Sequence, residues 1–308
     1  MNIVAVNDVT DAKTLAHLLK YDSVFGKFDG TVQASSDGFR VDGSEVRVLS
    51  VRDPAAIPWS KYGVDIVVES TGLFTNRDAA SKHMKGGANK ILISAPAKDP
   101  DITIVPGVNL DKYDPKAHNL VSLASCTTNC VTPLAKVIND SCTMKHGFMT
   151  TAHAYTNDQR IQDLPHHDLR RARAAALSII PTSTGAAIAT TEVLPELKGK
   201  LHGVALRVPV PDGSIVDLVA EVERDVTVDY VNRAFQKAAT GPMRGVLEYS
   251  EEPLVSADII GNPHSAVFDS LLTMVLENRL VKVFAWYDNE WGYSNRLVDM
   301  VQTMSKHL

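Results

Sequence analysis

The sequence predicts an α/β protein of two lobes: a doubly wound, mostly parallel sheet, then an α+β lobe with a mixed or antiparallel sheet. Three observations carry this expectation. Short apolar runs recur through the first 125 residues, helical periodicity lies between some of them, and strand-like segments lengthen from about residue 147. At 308 residues the chain is too long for one ordinary core and ample for two.

Ile3, Val4, Ala5 and Val6 run into Asn7-Asp8, as in a buried parallel strand whose carboxyl end carries an acid. Similar runs at 65–69, 90–94 and 119–123 end in small or polar residues, and 78–85 has helical periodicity. In the second lobe 147–155, 204–210, 214–222 and 281–287 read as strands and 228–239 as a covering helix. Residues 157–181 are polar, basic and proline-bearing, the composition of an ordered loop. Leu297, Val298, Val301 and Met304 give 292–307 helical spacing, and this helix is expected to pack back on the first lobe. The expected division is 1–125 with 290–308, against 126–289.

Hydrophobic residues make up 44% of the chain, as in a globular protein, and 31 Lys plus Arg face 36 Asp plus Glu. A formal charge of −5 gives no reason to expect nucleic acid as a partner. Three thiols, Cys126, Cys130 and Cys142, are no disulfide scaffold and fit a reducing compartment. The chain shows no basic leader, no cleavage-site pattern and no apolar run of membrane length, so a cytoplasmic protein without a membrane partner is expected.

The chemistry-bearing motif is Ala124-Ser125-Cys126-Thr127-Thr128-Asn129-Cys130, where an apolar strand gives way to helical spacing through Val131, Leu134, Val137 and Ile138. A thiol at a helix N-terminus faces unpaired N–H groups and the positive end of the helix dipole, which lowers its pKa. Cysteine also serves as a small buried hydrophobe, the preferred reading of Cys130, and two thiols with no further ligand set are poor grounds for a metal. His153, in Thr150-Thr151-Ala152-His153-Ala154-Tyr155-Thr156, reads alone as structural; within reach of a polarised thiol it becomes a proton-transfer partner.

Ser-Cys-Thr-Thr-Asn-Cys followed 27 residues later by His153 resembles the signature of the glyceraldehyde-3-phosphate dehydrogenase family. Further segments across the whole chain carry the same resemblance. They include Glu69-Ser70-Thr71-Gly72, Arg170-Arg171-Ala172-Arg173, Pro181-Thr182-Ser183-Thr184-Gly185 and Trp286-Tyr287-Asp288-Asn289-Glu290-Trp291-Gly292-Tyr293. The resemblance implies a Rossmann-like first domain and a catalytic second domain. It also implies oxidation of glyceraldehyde 3-phosphate with NAD and inorganic phosphate, through a hemithioacetal and thioester on Cys126 with His153 as proton carrier. By the same resemblance Thr156, Asp158 and Arg207 bind the substrate phosphate. Ser125, Thr127, Arg171, Thr184 and Gly185 bind the attacking phosphate. Asp8 and Arg52 face the adenosine of NAD, Ser94 and Tyr293 the nicotinamide, and Asn289 its carboxamide. A carboxylate at Asp8 repels a 2′-phosphate, and Leu164-Pro165 resembles the NAD-preferring form. Family members are homotetramers.

One feature of the family pattern differs. Family members open on a strand and a glycine-rich turn ahead of the ribose-binding acid, whereas that acid is residue 8 here. The expectation is a chain without this phosphate-binding loop, with open strand edges and weak NAD binding. Alternative activities are erythrose-4-phosphate dehydrogenase, a cysteine hydrolase of papain type, and a non-catalytic subunit or interaction protein.

Overall fold

The computed structural model describes residues 1–306 and 308, and these form two compact units. The first comprises 1–102, 114–123 and 299–308; the second comprises 103–113 and 124–298. His307, which the expected C-terminal helix included, lies outside the described residues.

In the first unit β1 (Ala5–Asn7) pairs in parallel with β4 (Ser44–Leu49), Ala5 opposite Arg47. Between them β2 (Val32–Ala34) and β3 (Gly38–Val41) complete a sheet in the order β1-β4-β3-β2. The β2–β3 and β3–β4 pairs are antiparallel, so this sheet is mixed where the sequence predicts a mostly parallel one. The cause is local. Asp42 and Gly43 both take positive φ, 48° and 84°, the two-residue turn whose twist matches a hairpin.

A second sheet holds β5 (Ile66–Glu69), β6 (Lys90–Ile93) and β7 (Leu120–Ser122), all parallel. These strands lack alternation because they are buried on both faces: Ile91, Leu92, Ile93, Leu120 and Val121 are fully enclosed. Among the described residues β1 and β5 end their respective sheets. The helix expected over 78–85 is two short turns, Arg77–Ala80 and Lys82–Lys85, meeting at Ser81. Helix α1 (Ala12–Lys20), which the sequence reading does not include, starts at Asp11, whose carboxylate accepts the Thr14 N–H at 2.9 Å.

The second unit is built on one large mixed sheet. Its strands are β8 (Met144–Ala154), β9 (Ile180–Ser183), β10 (Leu201–Val208), β11 (Ser214–Val222), β12 (Leu247–Ser250), β13 (Ala266–Asp269), β14 (Met274–Leu276) and β15 (Leu280–Tyr287). They lie in the order β9-β10-β8-β11-β15-β13-β12, with β14 beside β15. Alternation along β11 and β15 turns Val216, Leu218, Ala220, Val281, Val283 and Ala285 inward. There they meet α2 (Cys126–Cys142), α3 (Ala186–Val193) and α4 (Val228–Thr240). Phe235 of α4 stacks on Phe268 of β13 with centroids 3.9 Å apart. Helix α5 (Trp291–Ser305) closes the chain. Among the described residues no helix is long and apolar enough to cross a membrane.

Candidate active site

Cys126 is the first residue of α2. Ser125 caps that helix, its Oγ accepting the Thr128 N–H at 3.1 Å. The residue before the cap, Ala124, is fully buried at φ 54°, a conformation that costs an alanine energy and persists because its surroundings fix it. One such constraint is the Tyr293 hydroxyl, which donates to the Ala124 carbonyl at 2.8 Å. The turn therefore aims the first helical side chain, and the half-buried thiol lies with Sγ 3.4 Å from Nε2 of His153.

His153 is placed by register. It stands next to the end of β8, opposite Arg207 on parallel β10. Its Nδ1 lies 2.7 Å from the Ala154 carbonyl, which also accepts from Arg207 Nη1 at 3.0 Å; Nη1 is 2.8 Å from Nδ1 itself. With the ring proton on Nδ1 and donated to Ala154, the Nε2 lone pair faces the thiol. Burial, and then the Arg207 charge, push the imidazole down to about 4, so the ring is neutral at ordinary pH.

The thiol departs from the sequence expectation of a lowered pKa. Burial pushes Cys126 up, and the Arg207 charge with the Thr127 hydroxyl and N–H only offset it. The helix N-terminus acts in the expected direction but the enclosed position outweighs it. Sulfur and nitrogen are each driven toward neutrality, and one proton moving across their contact creates a pair with no net charge.

Around this pair the loop after β8 is held by ions. Thr156 donates its hydroxyl to Asp158, and Asp158 pairs with Arg171. The Arg171 Nε donates to Thr182 Oγ1 at 2.9 Å. Although burial opposes it, Thr156, Arg171 and Arg207 together keep the Asp158 carboxyl below the ordinary carboxylate range. Of the two guanidinium groups from the two expected anion sets, Arg171 pairs with this carboxylate and Arg207 acts on it through its charge. Arg207 also keeps a buried Nε with no acceptor among the described residues, which leaves a directed donor for an anion.

Other expected residues are placed differently. The Thr127 hydroxyl turns inward to Tyr287 OH at 2.9 Å, and that phenol also meets Thr151 Oγ1 at 2.9 Å. Thr184 Oγ1 accepts the Ala186 N–H at 3.2 Å, at the start of α3, where Gly185 is the cap. Asn289 is buried, and its Oδ1 accepts the Ser214 hydroxyl at 2.6 Å. In the first unit Asp8 follows β1, with Oδ1 taken by the Thr10 N–H at 2.9 Å. Arg52 lies exposed beyond β4, and Ser94 follows β6 with its hydroxyl 3.2 Å from the Glu69 carbonyl. Sequence reasoning omits Tyr287 and Ser214. Alternation along 281–287 and 214–222 marks both as inward-facing, but only strand pairing shows what they meet.

Residues 125–289 match the family description "Glyceraldehyde 3-phosphate dehydrogenase, C-terminal domain". Residues 1–77 match "Glyceraldehyde 3-phosphate dehydrogenase, NAD binding domain". The chain belongs to the glyceraldehyde 3-phosphate dehydrogenase family. Among its glyceraldehyde-3-phosphate dehydrogenase relatives, one from Streptomyces avermitilis is 60% identical over 308 residues, covering 100% of this chain and 92% of the relative. Another, from Geobacillus stearothermophilus, is 61% identical over 300 residues, covering 97% and 90%. A third, from Bacillus subtilis, is 59% identical over 306 residues, covering 99% and 91%. In this member of the glyceraldehyde 3-phosphate dehydrogenase family, Cys126 and His153 meet inside the residues that match the C-terminal domain.

Proposed function

We propose that this chain oxidises and phosphorylates D-glyceraldehyde 3-phosphate to 1,3-bisphosphoglycerate, using NAD and inorganic phosphate. The observation that carries the reading is the placement of Cys126 Sγ at a helix start, 3.4 Å from a neutral imidazole and close to a guanidinium. As sulfur attacks the aldehyde carbon, Nε2 of His153 takes the thiol proton and returns it to the developing alkoxide, giving a hemithioacetal. Nε2 then removes the hydroxyl proton as the carbon is oxidised to a thioester. Phosphate oxygen attacks the thioester carbon, the carbon–sulfur bond breaks, and Cys126 leaves as thiolate to be reprotonated. Arg207, through its free Nε, and Arg171 supply forked charge for the substrate's phosphate and the attacking phosphate, with Thr156 and Asp158 setting their orientation.

NAD, when bound, supplies the two-electron acceptor. The residues present fit it. Asp8 stands at the carboxyl end of a parallel strand with Oδ2 unpartnered among the described residues, an acceptor for ribose hydroxyls that disfavours a 2′-phosphate. Because Ser214 occupies Oδ1 of Asn289, the amide presents its Nδ2 donor, as a carboxamide oxygen requires. Arg52 on the adenine side and Ser94 and Tyr293 on the nicotinamide side complete the set.

A coupled assay tests the reading. NADH should form only when this aldehyde, phosphate and NAD are all present, and D-erythrose 4-phosphate should react at least about tenfold more slowly. No NADH, or a preference for erythrose 4-phosphate, overturns it. We also read the protein as a cytoplasmic homotetramer. Ile161, Leu169, Leu177 and Ile179 are apolar and largely exposed along the 157–181 loop, as an interface segment would be. Light scattering should give four chains per particle; a monomer refutes this assembly.

A further inference from the structure

The turn that carries Asn289 is anchored by its neighbour. Asp288, almost wholly buried, accepts backbone N–H groups from Glu290 at 2.9 Å and Trp291 at 2.6 Å on Oδ1, and from Gly261 at 2.7 Å on Oδ2. Three backbone donors suit an ionised carboxylate. Asp212 is as deeply buried and very differently served. Among the described residues its Oδ1 accepts only the Gly213 N–H, at 2.7 Å, and its buried Oδ2 meets no donor. Yet the antiparallel register that sets Ser214 opposite Tyr287 carries the chain on so that Asp212 and Asp288 are neighbours, with the two carboxyls acting directly on each other. Two ionised carboxylates in this position would repel, and one would keep an orphaned buried oxygen. A single proton removes both problems.

We infer that Asp212 is a carboxylic acid that donates its proton to Asp288, and that this bond positions the Asn289 turn for the cofactor. The inference rests on the reading of Asn289 given above. The clamp has two jaws. Gly213, at φ 83°, lets the chain pass so close to Ser256 that a Cβ would sit 2.3 Å from its carbonyl oxygen. Two residues beyond Asp212, the Ser214 hydroxyl donates to Asn289 Oδ1 and accepts the Ala154 N–H at 3.1 Å. Asp212 therefore fixes residue 288 while Ser214 fixes residue 289.

The charges acting on Asp212 are acidic, Asp288 and Glu290 from the turn itself. Across from Gly213, the 256–259 turn carries Asp258, which is occupied by the Val255 N–H at 2.8 Å. His264, in the loop against Gly292, is paired with Glu248 at 3.0 Å. Burial first, and then these two acidic neighbours, push the Asp212 carboxyl up to about 7. Its loss above neutral pH turns the bond into repulsion and loosens the turn.

Infrared spectra of the cofactor-free protein near neutral pH should show a buried carboxylic acid band that Asp212→Asn removes. Calorimetric titration with NAD should show wild-type affinity weakening by about tenfold between roughly pH 6 and 9, while Asp212→Asn, a permanent donor to Asp288, stays flat. Persistence of the band in the variant, or the same weakening in both proteins, overturns the proposal. Should the variant fail to fold, the wild-type band must itself disappear with a midpoint near neutrality; its absence at every pH refutes the shared proton. An Asn289→Ala variant with unchanged NAD affinity would instead strike the cofactor reading and leave the proton pair standing.

Discussion

Cys126→Ser should leave a folded protein whose turnover of glyceraldehyde 3-phosphate falls by about ten-thousandfold or more. Serine keeps the side-chain geometry with a smaller and far weaker nucleophile, and the neighbouring imidazole, a weak base in this buried position, ionises a hydroxyl far less readily than a thiol. Burial already pushes the thiol up, and the Arg207 charge and Thr127 donors offset only part of that cost. A serine, with a much higher intrinsic pKa, has no accessible anion there. The control is Cys130→Ser. Cys130 shares the helix, is fully enclosed, and its thiol is pushed far up by burial, so it has neither access nor charge for reaction. Its replacement should cost stability and not turnover per folded molecule. NADH formation under saturating substrate, together with thermal melts of both variants, separates the two outcomes. Comparable activity losses would mean that the helix start does not single out one sulfur.

The sequence carries the strands of this fold better than their partners. The segment 214–222 alternates in burial from end to end, and 91–93 is apolar throughout, so their period or its absence reveals one inward face or two. The 32–49 meander escapes because Gly38, Asp42 and Gly43 break its pattern and its strands are short. The broken helix at 77–85 escapes for the converse reason: its spacing is helical, but Ser81 ends one turn and begins another. In the site, Cys126 and His153 are legible as residues, but the guanidinium beside the imidazole follows only from the alignment of β8 with β10. Ala124 shows why such features hide. Nothing about alanine announces a left-handed backbone, and the Tyr293 hydroxyl that helps to hold it is 169 residues away in sequence. The thiol is less acidic than its place at a helix terminus implies for a related reason: the terminus can be read from sequence and the depth of its enclosure cannot.

His153→Asn should lower turnover by roughly a hundred- to ten-thousandfold, the range over which a positioned proton carrier contributes. It should also move the alkylation of Cys126 by iodoacetate to higher pH. With imidazole present, the proton leaves sulfur for a base 3.4 Å away and the pair stays uncharged overall. With asparagine the proton must leave for solvent, and the burial that raises the thiol acts unopposed by any partner base. The same substitution has a signature in folding. His153 in the native protein is pushed down to about 4, whereas an unfolded histidine titrates near 6.5. Between those values the unfolded chain binds a proton that the native chain refuses, so this residue's contribution is intact above about pH 6.5 and is lost as pH falls toward about 4. The loss amounts to about 3 kcal/mol, and the asparagine variant should lack it. Denaturant unfolding of both proteins across that interval measures the difference directly. Parallel curves for the two proteins would mean that the native imidazole titrates as the unfolded one does, and a wild type that gains stability over the variant as pH falls would mean that the resting pair holds its proton on nitrogen.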